Sequence, residues 1–87
     1  MMNSYGVARG WNIEGPRLLQ QQNEVHVYAY VNGQMIGMLD CELRGGGVQL
    51  RMAYVSPPWR GTRVLRDMLT VLKGRYREIA VLRARRY

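Results

Sequence analysis

The chain has 87 residues, 47% of them apolar, and a net charge of +7. This describes one small globular domain with a thin core, because a chain this short buries only about 60–65% of its unfolded surface. A single cysteine, Cys41, excludes an internal disulfide, and a single histidine, His26, cannot build a Cys/His zinc site. No apolar run approaches the ~18 residues of a membrane span, and no apolar block follows a basic one at the N-terminus. The expectation is a reduced, cytoplasmic chain with no metal and no membrane partner.

Residues 1–24 read as an irregular segment. Gly6, Gly10 and Gly15 interrupt it, with Trp11 and Ile13 placed to tuck against the core. Pro16 to Asn23 suits a short helix with proline in its first turn. Residues 25–84 carry the core. Val25, Val27, Ala29 and Val31 alternate with His26, Tyr28 and Tyr30, the period of a strand. Asn32-Gly33 is the dipeptide of a two-residue hairpin. Gln34 to Leu43 reads as the return strand, with Met35, Leu39, Cys41 and Leu43 on one face. Gly37 marks a bulge or a close backbone approach. Gly45-Gly46-Gly47 is a loop. Val48, Leu50, Met52 and Tyr54 then alternate with Gln49, Arg51, Ala53 and Val55, which completes an antiparallel three-strand meander.

Ser56-Pro57-Pro58 ends that strand, since proline cannot donate to a ladder. Thr62 is a good N-cap. Val64, Leu65, Met68, Leu69, Val71 and Leu72 recur at helical spacing, and Gly74 suits the C-terminal stop. Ile79-Ala80-Val81-Leu82 is a continuous apolar run, the pattern of a strand buried on both faces. Strand, helix and strand make a right-handed crossover with parallel strands. The fold class is α+β, a mixed sheet in one domain spanning residues 1–87.

Charge is unevenly distributed. Residues 1–50 hold three arginines against four acids, and residues 51–87 hold nine arginines and Lys73 against two acids. The second half therefore calls for an anionic partner, a nucleic acid, an acidic protein or a phosphate-bearing ligand. Arginine supplies bidentate contacts to phosphate and carboxylate. The strand-to-helix loop concentrates this feature. A helix N-terminus offers free backbone N–H groups, and Arg60, Arg63 and Arg66 crowd that end. His26, Tyr28 and Tyr30 form an aromatic stripe that suits either a core under a helix or stacking of nucleobases. Cys41 reads as a buried small hydrophobe.

At these residues the sequence resembles a family. The run Val25 to Leu39, with Val31-Asn32-Gly33-Gln34-Met35-Ile36-Gly37, resembles the second and third strands of the GNAT N-acetyltransferase superfamily, and Val55-Ser56-Pro57-Pro58-Trp59-Arg60-Gly61 resembles the run leading into its acetyl-CoA loop. The resemblance covers residues 25–84 and implies a GNAT-like fold without its C-terminal part. It implies acetyl-CoA as the cofactor, held by Val55, Arg60, Gly61, Thr62, Arg63, Val64 and Leu65. It also implies that the strand before the loop splays from its parallel neighbour to admit the cofactor. Arg63 and Leu65 stand where the family's loop has glycines. No catalytic residue is assigned: Tyr54, Tyr76 and Tyr87 are candidate acids and His26 a candidate base for N-acetyl transfer. A sheet that stops at its fifth strand leaves an open edge, which calls for a homo-oligomer or a capping partner chain. Two readings stand beside the acetyltransferase: a non-catalytic assembly protein, and a basic nucleic-acid-binding module.

Overall fold

The structure, a computed structural model, describes residues 13–86. Five strands lie in the order of the sequence in one sheet: β1 (Ile13–Gln21), β2 (Glu24–Val31), β3 (Gln34–Arg44), β4 (Gly47–Val55) and β5 (Ile79–Arg86). The first four pair antiparallel; β5 pairs parallel to β4 after the helix α1 (Val64–Arg75). This is an α+β architecture with a mixed sheet and one helix.

β2 follows its alternation strictly. Val25, Val27 and Ala29 are wholly buried, while His26, Tyr28 and Tyr30 are half-buried on the opposite face. Asn32 and Gly33 both have positive φ, as the tight hairpin demands. Opposite Ala29 and Tyr30 the β3 register slips by one residue between Gly37 and Met35. That bulge turns Ile36 inward and leaves Met35 exposed, so Met35 does not share the face of Leu39 and Cys41 as the alternation predicts. Gly37 is both things its position suggests. It borders the bulge, and a Cβ there would meet Met68 Cε at 2.9 Å and Val64 Cγ1 at 3.0 Å.

A second slip corrects β4. Asp40 pairs with Met52 but Cys41 pairs with Leu50, so Arg51 is the extra residue. Beyond it the inward residues are Ala53 and Val55; Met52 and Tyr54 are not on the buried face with Val48 and Leu50.

The predicted helix from Pro16 to Asn23 is a strand instead, and the irregular segment gives way to β1 from Ile13 onward. Leu18 pairs with Val27, and Gln22, at φ 55, closes a hairpin with Asn23. Pro16 sits at a register shift on this edge strand, where its missing N–H costs no ladder bond. Trp11 lies outside the described residues.

α1 lays Val64, Met68 and Leu72, one residue per turn, onto the sheet and buries them completely. Gly74 does not stop it. The helix runs on to Arg75 and ends where Tyr76 turns extended, its N–H still donating to the Leu72 carbonyl. The Tyr76 hydroxyl donates to Gln20 Oε1 at 2.8 Å, tying this end to β1. β5 is the far edge, and Val81 on it is 65% exposed. It is not buried on both faces: among the described residues β5 is the last strand of the sheet. Nor do β4 and β5 part for good: pairing breaks after Leu50 and resumes at Met52 with Arg85 and Ala53 with Arg86.

Candidate functional site

β4 ends at Val55, and the chain needs eight residues to reach α1. Ser56 anchors the turn by donating its N–H to the Ile36 carbonyl at 2.7 Å. Pro57-Pro58-Trp59 forms a single 3-10 turn that drives the Trp59 indole into the core, 9% exposed. Two side chains then tie the loop to itself. Arg60 Nε donates to the Val55 carbonyl at 2.9 Å, and Thr62 Oγ1 donates to the Trp59 carbonyl at 2.5 Å. Gly61 takes φ +82, a conformation that carries little cost only without a Cβ. Thr62 is not the N-cap residue; Arg63 is. Thr62 still accepts a long hydrogen bond, 3.4 Å, from the Val64 N–H in the first turn.

These constraints leave a cleft of about 430 Å³ between the end of β4 and the start of α1. Its lining is Ala53, Val55, Trp59, Arg60, Gly61, Thr62 and Leu65. The walls are apolar, and one guanidinium and one hydroxyl join them. Of the seven residues the sequence nominates, Val55, Arg60, Gly61, Thr62 and Leu65 line the cleft. Val64 does not: it is wholly buried against Gly37. Arg63 lies outside the lining, is exposed, and sits 3.8 Å from Asp67 one turn on. Ala53 and Trp59 were not nominated. Trp59 stands inside the loop motif, and the face that Ala53 shares with Val55 turns toward α1 only because of the slip at Arg51.

The candidate acids and bases lie elsewhere. His26 and Tyr54 are on the sheet face away from α1, and Tyr76 is at the opposite end of a helix about 18 Å long. Tyr87 lies outside the described residues. No carboxylate or imidazole lines the cleft among the described residues.

His26 belongs to a second cluster on that open face. Its Nε2 lies 3.0 Å from Asp40 Oδ1 and its Nδ1 3.4 Å from the Tyr28 hydroxyl, so each ring nitrogen has a hydrogen-bond partner. Arg51, the extra residue of β4, donates to Asp40 at 2.9 Å and to Glu24 at 2.5 Å, with Glu42 at 4.0 Å. The hydrogen bonds to Asp40 and then Glu24 raise the Arg51 pKa further above its ordinary value. Glu24, His26 and Asp40 place three ligand atoms within 4.8 Å of one another, the spacing of a cation site. Arg51 already supplies the positive charge there. Beside the cluster but facing inward, Cys41 is wholly buried, and burial followed by the Asp40 charge pushes its thiol up to about 11.

The aromatic stripe is therefore not a core under the helix; it shares the open face with three carboxylates. The exposed cations Arg60, Arg63, Arg66, Lys73, Arg75 and Arg77 lie on the helix and its flanks. Most exposed cations thus stand on the layer opposite the aromatic rings; Arg17, paired with Tyr28, and Arg44, beside Glu42, share the open face. Compared with family models, with curated proteins and with solved structures, the chain matches none.

Proposed function

We propose that the cleft between β4 and α1 binds an elongated anion with an apolar arm, of the acetyl-CoA type, in a GNAT-like setting. The observation that carries this reading is the convergence of Val55, Arg60, Gly61, Thr62 and Leu65 on one cleft. Apolar walls suit a pantetheine-like arm. The first turn of α1 brings backbone N–H groups that have no intrahelical acceptor and the positive end of the helix dipole to the same place, and both favour phosphate. Leu65 in the lining and Arg63 at the N-cap stand where glycines would let a pyrophosphate approach the backbone, so the phosphates meet guanidinium rather than bare amide. The reading is one of binding. Acyl transfer calls for an acid and a base within reach of the thioester, and among the described residues the cleft lining offers no carboxylate, imidazole or phenol.

The test is the melting temperature with and without saturating acetyl-CoA at low salt. Ligand at about 100 times its dissociation constant adds about 2.7 kcal/mol. In a domain of this size that raises the melting temperature by roughly ten degrees or more. Gly61→Glu abolishes the ligand-induced rise, measured against that variant's own lower baseline. No rise in the unmodified chain retires the cleft as a cofactor site.

A second reading, assembly through the open edge, is favoured by Val81, 65% exposed on an edge strand. It predicts a sedimentation mass above 10.1 kDa that falls on truncation after Leu82.

A further inference from the structure

Along α1, Arg63, Arg66, Thr70 and Lys73 follow one another at spacings of three, four and three residues, which is one face of a helix. All four are exposed. The row extends about 15 Å along the axis. Arg75, the last helical residue, and Arg77 beyond it are also exposed and carry the positive charge to and past the helix end. Asp67 answers only Arg63, at 3.8 Å. Among the described residues no carboxylate pairs with Arg66 or Lys73.

We propose that this ridge binds the sugar–phosphate backbone of a nucleic-acid duplex, independently of base sequence. Three features choose this occupant. First, the ridge has no apolar or aromatic residue between its cations. A protein partner draws its affinity from a desolvated apolar centre, whereas phosphate contact requires only charge and donors. Second, a single strand binds by stacking on aromatic rings, and the tyrosines of β2 lie on the other layer beside Glu24 and Asp40. Third, a row about 15 Å long that carries three cations, with Arg75 at its end, meets about three successive phosphates of one strand. Asp67 discounts Arg63 in part and Arg75 and Arg77 add to the row, so about three phosphates are contacted. The ridge is separate from the cleft: neither Arg66 nor Lys73 lines it.

The experiment is fluorescence anisotropy of a labelled 20-base-pair DNA duplex of mixed sequence, titrated with the full chain at several salt concentrations. The expected slope of log affinity against log salt is about −3, so a fourfold rise in salt weakens binding roughly 60-fold. The double variant Arg66→Ala/Lys73→Ala lowers the slope to about −1. Alanine is the best helix former, so the fold is kept, and circular dichroism checks it. Arg66→Lys/Lys73→Arg keeps both charges and restores the slope. Scrambling the duplex sequence changes nothing. An unchanged slope in the alanine variant overturns the proposal. So does displacement of the duplex by polyglutamate at equal charge, which makes the ridge an acidic-protein surface. Tighter binding to the single strand than to the duplex overturns it as well, and moves the site to the tyrosine face.

Discussion

Gly45, Gly46 and Gly47 are identical in sequence and differ in what a methyl group at each would meet. At Gly47 a Cβ would overlap the Glu78 carbonyl oxygen and stand 3.0 Å from its carbon. That obstacle is backbone, and it is fixed in place because the same carbonyl accepts the Val48 N–H at 3.0 Å. Gly47→Ala must therefore push β5 away from β4 at the first pair of the parallel ladder. Overpacking costs about 1–3 kcal/mol. A buried N–H left without its acceptor costs about 1–3 more. Part of the strain is relieved as the bond breaks, so the net loss is about 2–4 kcal/mol, or roughly 10–25 °C of melting temperature in a domain this small. Gly45 has φ +57 and open space around it, so Gly45→Ala meets only the left-handed penalty, about 1 kcal/mol. Gly46 has neither a positive φ nor a neighbour within 4 Å. Gly46→Ala is neutral, or stabilises by about 0.4–1 kcal/mol through the unfolded chain. Thermal and urea melts of the three single variants read the order directly. If Gly46→Ala costs as much as Gly47→Ala, the close approach of β4 to Glu78 is not what requires glycine, and the parallel pairing is misplaced.

Gly37→Ala tests the helix–sheet contact. It crowds Val64 Cγ1 and Met68 Cε and costs about 1–2 kcal/mol, because Met68 can move aside and the β-branched Val64 cannot. In a urea-melt cycle with Val64→Ala the two losses fall short of additivity, and strict additivity would separate the sites. Cys41 tests the core. At pH 8 its thiol reacts with a disulfide reagent only as fast as the chain opens, and full reaction within seconds in the native state refutes its burial. Its raised pKa also has a stability consequence. The unfolded thiol releases its proton near 9 and the folded one near 11, so the folded state holds more protons in that window and stability falls as pH rises through it. Cys41→Ala removes up to one proton's worth of that slope in denaturant melts between pH 9 and 11.

Local signals were legible wherever local chemistry decides. β2 with its Asn32-Gly33 turn, the breaking effect of Pro57-Pro58, and the buried row Val64, Met68 and Leu72 follow from period and turn chemistry alone. What escaped was decided by pairing between distant segments. Residues 16–23 are rich in leucine and glutamine, good helix formers. They form a strand because Leu18 and its neighbours pair with β2 and cover its edge. Bulges have no sequence signature beyond a glycine nearby. The slips at Ile36 and Arg51 reversed the faces of Met35, Met52 and Tyr54, since a one-residue slip moves every later side chain to the other side. The run from Ile79 to Leu82 reads as buried, but burial depends on what covers a strand, and Val81 lies exposed on the last strand of the described sheet. The cleft was legible as a loop and five of its residues. Trp59 and Ala53 as its walls needed the three-dimensional path.

Arg51 shows how one such slip shapes the whole surface. A regular β4 would alternate Arg51 with Leu50 and Met52 and would turn Ala53 outward. The extra residue keeps Arg51 on the open face, where it neutralises Glu24 and Asp40, and returns Ala53 and Val55 to the helix side, where they wall the cleft. Three of the six carboxylates in the chain, Glu24, Asp40 and Glu42, are thereby gathered around one arginine on the layer away from α1. The helix layer keeps most of its arginines uncompensated, with Asp67 within reach of Arg63 alone. Such a surface repels itself across any contact between two helix layers, and it attracts polyanions over a Debye length of about 8–10 Å. Both proposals thus rest on α1, one at its N-terminus for a small anion and one along its side for a long one.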